Sequence, residues 1–274
     1  MLASTVSQSR ARANGVQSSA PSDVPPAWTR TDRLLARATA WALFGLGLLY
    51  ILTTTAGFVI AGGLQAPIVD PAFALMELLI LVEAPLIVML FVSLHRYAAP
   101  SRRSFSLAAF GLVVVMAALT LGVHFVVLTV GRQVDASVMP GFDRFFSFKW
   151  PSVVYALDIV AWDFCFGLAL VLAAPVFVGT GIQRAIRIGL VLAGVLSLAG
   201  LLGVVTANMQ IRNIGIVGYA IVFTAVTPLI ARAFSREYET ATDAPPDRAE
   251  IEASELTASN GHRTLAASSV DPLP

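Results

Sequence analysis

The chain contains 274 residues, 57% of them hydrophobic and 13% charged, and its formal net charge is +1. Because soluble domains carry about a quarter of charged residues, this composition excludes an ordinary soluble domain and indicates a membrane protein. The near-neutral charge gives no basis for a nucleic-acid partner, and we predict none.

Six long apolar stretches define the architecture. A hydrocarbon core of about 30 Å requires roughly 20 apolar residues in a helix. Unbroken runs of this length exclude a transmembrane β-barrel, whose strands are ~10 residues of alternating polarity. The predicted fold is all-α and polytopic, with six transmembrane helices at 38–63, 71–94, 104–130, 152–178, 185–206 and 213–232.

Both ends of the chain are polar. Residues 1–37 are rich in Ser, Ala and Arg, which predicts a disordered cytoplasmic tail, with a mitochondrial transit peptide as the alternative. Residues 233–274 are acidic and contain Pro245 and Pro246, which predicts a second disordered tail. A docking role for the acidic tail is the alternative.

Arginine and lysine residues near the span ends are unevenly distributed. Four lie on one side of the predicted membrane: Arg132, Arg144, Lys149 and Arg212. Ten lie on the other: Arg30, Arg33, Arg37, Arg96, Arg102, Arg103, Arg184, Arg187, Arg232 and Arg236. The positive-inside rule therefore predicts that both termini are cytoplasmic, and an even number of spans requires both on one side.

Small residues and one loop indicate how the helices pack. Small side chains four residues apart let helix backbones approach, so we predict packing faces and, as a weaker alternative, a homo-oligomer interface, at 57–61, 199–203, Gly189, Ala193, Ser197 and Gly200. Loop 131–150 mixes aromatic with charged residues, which predicts a short helix on the outer surface or, alternatively, a lid over a cavity.

Five ionisable residues lie inside the predicted spans, where such groups are costly and are candidates for function. Counting from the outer ends places three of them roughly 10 Å deep and two near the midplane. They form the predicted intramembrane polar site: Glu77, His124 and Asp158 in the outer layer, and Glu83 and Asp163 as the central acids. Thr53, Thr54, Thr55, Tyr155 and Tyr219 fall at the outer depth, which predicts a polar cavity facing outward.

Helical spacing limits how these acids can be used. Residues six and five apart lie about 120° and 140° around an α-helix, so we expect Glu77 and Glu83, and likewise Asp158 and Asp163, to face different neighbours. Apart from Arg187 and Arg232 in the end turns, no arginine or lysine lies within the predicted spans, so we expect neutral, hydrogen-bonded carboxyl groups. Arg212, near the outer mouth, can pair with an outer acid.

Common cofactor and catalytic patterns are missing from the sequence. Cys165 is the only cysteine, and no lysine lies in a span to carry retinal. His95 and His124 differ in depth, which excludes a bis-histidine haem, and no phosphate-loop or hydrolase motif occurs. A metal site at Glu77, His124 and Asp158 has suitable ligands but no diagnostic spacing. We predict no cofactor, no metal and no catalytic residue.

The second half of the chain carries three long patterned segments. They read WDFCFGLALVLAAPVF at 162–177, RIGLVLAGVLSLAGLLG at 187–203 and NIGIVGYAIVF at 213–223. These segments resemble a group of uncharacterised bacterial multi-span membrane proteins with a domain of unknown function. The resemblance implies a bacterial inner-membrane protein and implies no activity or site residues.

Three functions remain open from the sequence. The first is a transporter-like or channel-like protein that handles protons, cations or a small solute in a carboxylate-lined cavity. The second is a non-catalytic assembly or regulatory protein whose acids only hold helices together. The third is an intramembrane enzyme that uses His124 and the acids in acid–base catalysis.

Overall fold

The computed structural model describes residues 28–63 and 66–242, with side chains up to residue 235. The predicted tails at 1–27 and 243–274 lie outside the described residues. Six helices are long and apolar enough to cross a membrane. They are α1 (Arg30–Ala61), α2 (Ala72–Tyr97), α3 (Arg103–Leu128), α4 (Val153–Val176), α5 (Ile182–Val205) and α6 (Met209–Ser235). The described residues contain no strand, so the all-α polytopic fold is confirmed.

Two helices extend into the predicted tails. Helix α1 begins at Arg30 because Thr29 and Asp32 form a reciprocal capping box, and Asp32 also pairs with Arg96 at 2.9 Å. The prediction of disorder is therefore wrong for 30–37. It is also wrong for 233–242, because the helix that contains α6 continues to Thr242.

The start of α6 has a consequence for the site. The side chain of Asn208 accepts a hydrogen bond from the backbone N–H of Gln210 and caps the helix, which begins at Met209. The predicted span began four residues later. Arg212 therefore lies inside the first turn of α6.

Consecutive helices are neighbours, and α6 returns to α1. We call the end that carries loops 62–71, 129–152 and 206–208 the loop end, and the opposite end the terminal end. Many large apolar side chains on the outer surface are exposed, among them Leu52, Val59, Ile60, Phe125 and Val205. A continuous exposed apolar surface of this kind suits contact with lipid.

Helix α5 packs through its small residues. A methyl group at Gly189 would overlap Val226 of α6, and one at Gly218 of α6 would overlap the carbonyl of Ala193. Gly194 lies equally close to Gly167 of α4. The predicted packing face is confirmed, and α4 and α6 of the same chain occupy it. The homo-oligomer stays a prediction.

An aromatic cluster fills the terminal end. The ring of Tyr97 contacts Trp28, Phe177 and Phe234, with centroid distances of 5.7, 5.8 and 5.2 Å. Phe177 and Phe234 are almost completely buried. The four rings come from the chain preceding α1 and from the terminal-end parts of α2, α4 and α6, so they pack the bundle tightly at this end.

The predicted short helix in the long loop is present. It spans Phe142–Phe146 and follows Gly141, whose φ of +78° is a left-handed conformation that glycine adopts readily. The rings of Phe142 and Phe146 pack together at 5.3 Å. After this helix the chain turns inward, and Phe148 enters the bundle.

Candidate functional site

Two helices depart from α geometry near the loop end. Helix α4 contains a π-helical segment at Val160–Phe166, and α6 contains another at Val217–Val222. The segments face each other, since the rings of Trp162 and Tyr219 lie 5.2 Å apart. π-Helical turns within α-helices are rare and often mark functional sites.

A cavity of about 780 Å³ lies between these segments and helices α1, α2 and α3. Its size is within the range of roughly 300–1,000 Å³ that is usual for small-molecule sites. It begins among the loop-end segments and reaches Leu43, Ile87 and Thr224 deep in the bundle. Its acidic, basic and histidine lining residues are Glu77, Glu83, His124, Lys149, Asp158 and Arg212. Four of the five predicted site residues therefore line one cavity.

His124 joins two helices by binding an acid on each side. Its Nδ1 atom lies 2.7 Å from a carboxyl oxygen of Glu77 on α2, and its Nε2 atom lies 3.3 Å from Asp158 on α4. All three side chains are at least nine-tenths buried. The predicted outer layer is thus a hydrogen-bonded chain, which we call the acid–histidine chain (Glu77, His124 and Asp158).

The arrangement restricts the protons in this chain. A neutral imidazole has one N–H donor and one bare nitrogen, whereas an ionised carboxylate only accepts hydrogen bonds. Satisfying both bonds requires either an imidazolium between two carboxylates or a neutral imidazole with one protonated acid. The two arrangements hold the same number of protons and differ only in where one proton lies.

The same geometry does not favour a metal. The two ring nitrogens of His124 point in opposite directions, so the three side chains do not converge on one point. In the segments that the structure describes, no three His, Cys, Asp or Glu side chains are grouped so that they could hold a metal ion.

Arg212 is a buried cation that the sequence analysis placed only at the mouth. It is 3% exposed, and its Nη2 atom lies 3.4 Å from Asp158 and 3.2 Å from Asp163. Its guanidinium also lies 5.1 Å from the ring centre of Tyr155 and 5.9 Å from that of Tyr219. The expected pairing of Arg212 with an outer acid is confirmed for Asp158. The expectation that no other arginine lies within the spans is wrong, because α6 starts early enough to include Arg212.

The expectation that Asp158 and Asp163 face different neighbours is also wrong. It assumed α-helical geometry, in which residues five apart diverge. Asp158 lies two residues before the π-helical segment at Val160–Phe166, which contains Asp163. The wider turns of that segment reduce the angle between the two side chains about the helix axis. A single atom of Arg212 can then contact both.

Asp163 is fully buried and does not line the cavity. A methyl group at Gly200 of α5 or at Gly215 of α6 would overlap its Oδ1 atom, so two glycines make the space for this carboxylate. Of the two predicted central acids, only Glu83 lines the cavity. Asp163 lies behind Arg212, as the partner of that cation.

Glu83 is the deeper acid on the cavity wall. It lies eleven residues after the start of α2, roughly 16 Å along the axis, and is only partly buried. Its carboxyl group has neither a hydrogen bond nor an ion pair to any residue within 28–63 or 66–235. It therefore differs from every other acid of the predicted site.

The cavity wall includes some of the other residues that were predicted for it and one residue that was not. Tyr155 and Tyr219 line the cavity as predicted, whereas the three threonines at 53–55 do not. Thr54 and Thr55 instead donate to carbonyls one turn back in α1. From the long loop, Phe148 stacks on His124 with a centroid distance of 5.3 Å, so this loop forms part of the cavity wall.

Comparison with models of protein families, with curated proteins and with solved structures gives no match. The geometry of the cavity and of the acid–histidine chain is therefore the basis for any functional assignment.

Proposed function

We propose that this chain is a transporter-like or channel-like protein of the bacterial inner membrane that handles protons at the acid–histidine chain. Both termini are cytoplasmic in this proposal, so the cavity faces away from the cytoplasm. The ten-to-four distribution of basic residues supports the orientation. The resemblance of 162–223 to bacterial multi-span proteins supports the location.

One observation carries the proposal: His124 lies between two buried carboxyl groups beside a cavity. Chains of Asp, Glu and His inside a membrane are typical of proton relays in pumps and transporters. A proton taken up by Glu77 can pass to Nδ1 while the proton on Nε2 passes to Asp158. For net transfer, Asp158 then releases that proton, and the imidazole ring flips so that its bare nitrogen faces Glu77 again and its N–H faces Asp158.

Arg212 and Asp163 support this role indirectly. Arg212 holds Asp158 by one hydrogen bond, while Asp163 balances much of the charge of the guanidinium. Arg212 therefore keeps Asp158 next to His124, and the charge of Arg212 is offset inside the protein by Asp163. Arg212 and Asp163 are positioning residues in this account, and Glu77, His124 and Asp158 carry the proton.

The cavity connects the acid–histidine chain to the loop end of the bundle and not to the terminal end. Between the cavity and the terminal end lies a packed layer that includes Leu90, Phe91 and Leu94, each no more than 1% exposed. Beyond it lies the aromatic cluster around Tyr97. Passage across the membrane therefore requires the helices to separate at the terminal end, as in alternating access.

Proton flux in proteoliposomes tests the proposal. An imposed membrane potential should acidify liposomes that contain the wild-type protein faster than protein-free liposomes, as measured with an enclosed pH-sensitive dye. Glu77→Gln should lose the increase, because an amide cannot exchange a proton with His124. Asp143→Asn, an exposed acid in the long loop, is the matched control and should behave as wild type. Equal flux through Glu77→Gln and the wild type would refute the proposal.

A further inference from the structure

We infer that the cavity binds a monovalent organic cation, a protonated amine or a quaternary ammonium with an apolar body, and that Glu83 is its ion-pair partner. This inference rests on the proposed function and names the class of solute that accompanies the proton. It is carried by the unpaired carboxyl group of Glu83 on the wall of a membrane-embedded cavity.

Below the mouth, where Lys149 is exposed, the charged groups that line the cavity are matched to partners, with one exception. Glu77 and Asp158 bind His124, and Arg212 binds Asp158 and Asp163. Glu83 has no such partner among the described residues. A carboxylate in an apolar environment is costly when it is alone, so a cation that enters the cavity gains most at this position.

The charge of the cavity favours a cation over an anion. Within the part of the chain that the structure describes, Lys149 and Arg212 are the only arginine or lysine side chains that line it, and Arg212 is held by two carboxylates. Lys149 is exposed on the long loop, at the mouth. Four acids lie at or behind the wall, namely Glu77, Glu83, Asp158 and Asp163. They outnumber the cations even when a protonated His124 is counted with Lys149 and Arg212.

The wall chemistry favours an organic cation over a metal ion. Several aromatic rings line the cavity, among them Tyr50, Phe148, Tyr155, Trp162 and Tyr219. Aromatic faces attract alkylammonium groups by cation–π interaction while they accommodate an apolar body. A bare Na⁺ or Ca²⁺ ion instead needs several oxygen ligands at short range.

Titration calorimetry tests the inference. It measures the binding of benzyltrimethylammonium to the purified full chain in lipid nanodiscs. Its charge does not change with pH, so the solute itself cannot gain or lose a proton. Phenylmethanesulfonate is an anion of similar size and apolar body. We expect the cation to bind and the anion not to bind. Glu83→Gln should weaken cation binding by about tenfold or more, because a charge-assisted contact is lost.

Two controls make the result decisive. Asp143→Asn removes an exposed acid outside the cavity and should leave cation binding unchanged. If Glu83→Gln does not fold, the comparison of cation with anion in the wild type still decides. Equal binding of both ions, no cation binding, or undiminished binding by a folded Glu83→Gln variant would overturn the inference. Retained proton flux without cation binding refutes this inference alone, whereas cation binding without proton flux refutes the proposed proton function.

Discussion

The guanidinium of Arg212 lies 3.2 Å from a carboxylate oxygen of Asp163, in a position where Asp163 is completely buried and Arg212 is 3% exposed. Neither oxygen of Asp163 accepts a hydrogen bond of good geometry from the described residues, so the contact is mainly electrostatic. A pair of this kind contributes little net stability but is costly to break from one side.

Breaking that pair at Arg212 should destabilise the protein strongly. Arg212→Met leaves Asp158 and Asp163 without their cation, and we expect a loss of about 3–5 kcal/mol in the free energy of unfolding. Equilibrium unfolding in detergent measures this loss. The double variant with Asp163→Asn should recover part of it, because one uncompensated carboxylate is removed. A single Arg212→Met variant as stable as the wild type would show that the pair is not buried as described.

The space around Asp163 gives a second prediction with an internal control. Gly215→Ala places a methyl group against the Asp163 carboxylate, and we expect a loss of about 1–3 kcal/mol from overpacking. On α3, a methyl group at Gly122 would meet no neighbouring atom. Because alanine favours the helix over glycine, Gly122→Ala should leave the stability unchanged or raise it by roughly 0.5–1 kcal/mol. Melting temperatures in detergent compare the two. Equal effects at both positions would contradict the packing of α4, α5 and α6 around Asp163.

Lys149 allows a direct test of the proposed orientation. It is the only lysine in the sequence, and it is exposed on the long loop. A membrane-impermeant amine reagent applied to intact bacterial cells should label Lys149, and Lys149→Arg should abolish that labelling. The α-amino group should react only after permeabilisation. Labelling of the chain terminus, but not of Lys149, in intact cells would reverse the orientation.

The fold followed from the sequence because span length and apolarity are local properties. Helix ends were less predictable, since the capping residues Thr29 and Asn208 outweighed the apolar pattern. Counting residues from the span ends correctly placed Glu77, His124 and Asp158 at the same depth, because this count needs only the rise per residue of a helix. The hydrogen bonds between them could not be predicted, since rotation about each helix axis is set by tertiary packing.

The errors at the site have two physical sources. A π-helical segment has no distinctive sequence signal, and it changed the angular relation of Asp158 and Asp163. Helix α6 begins earlier than predicted, so Arg212 lies inside the helix and not at the mouth. The π-helical segment of α6, which faces that of α4, follows this early start. The glycines at 200 and 215 could have indicated a buried group between α5 and α6. Their small size alone fits plain helix packing equally well.

The central claim is that the acid–histidine chain takes up and moves protons, and a pH step on a solid-supported membrane tests it most directly. Proteoliposomes adsorbed on the sensor should give a transient current when the pH changes at constant ionic composition. We expect His124→Gln to reduce the displaced charge severalfold. His95→Gln is the matched control, since His95 contacts Ser106 near the terminal end, and it should retain the wild-type current. Undiminished current in His124→Gln, or none above protein-free liposomes, would contradict the account.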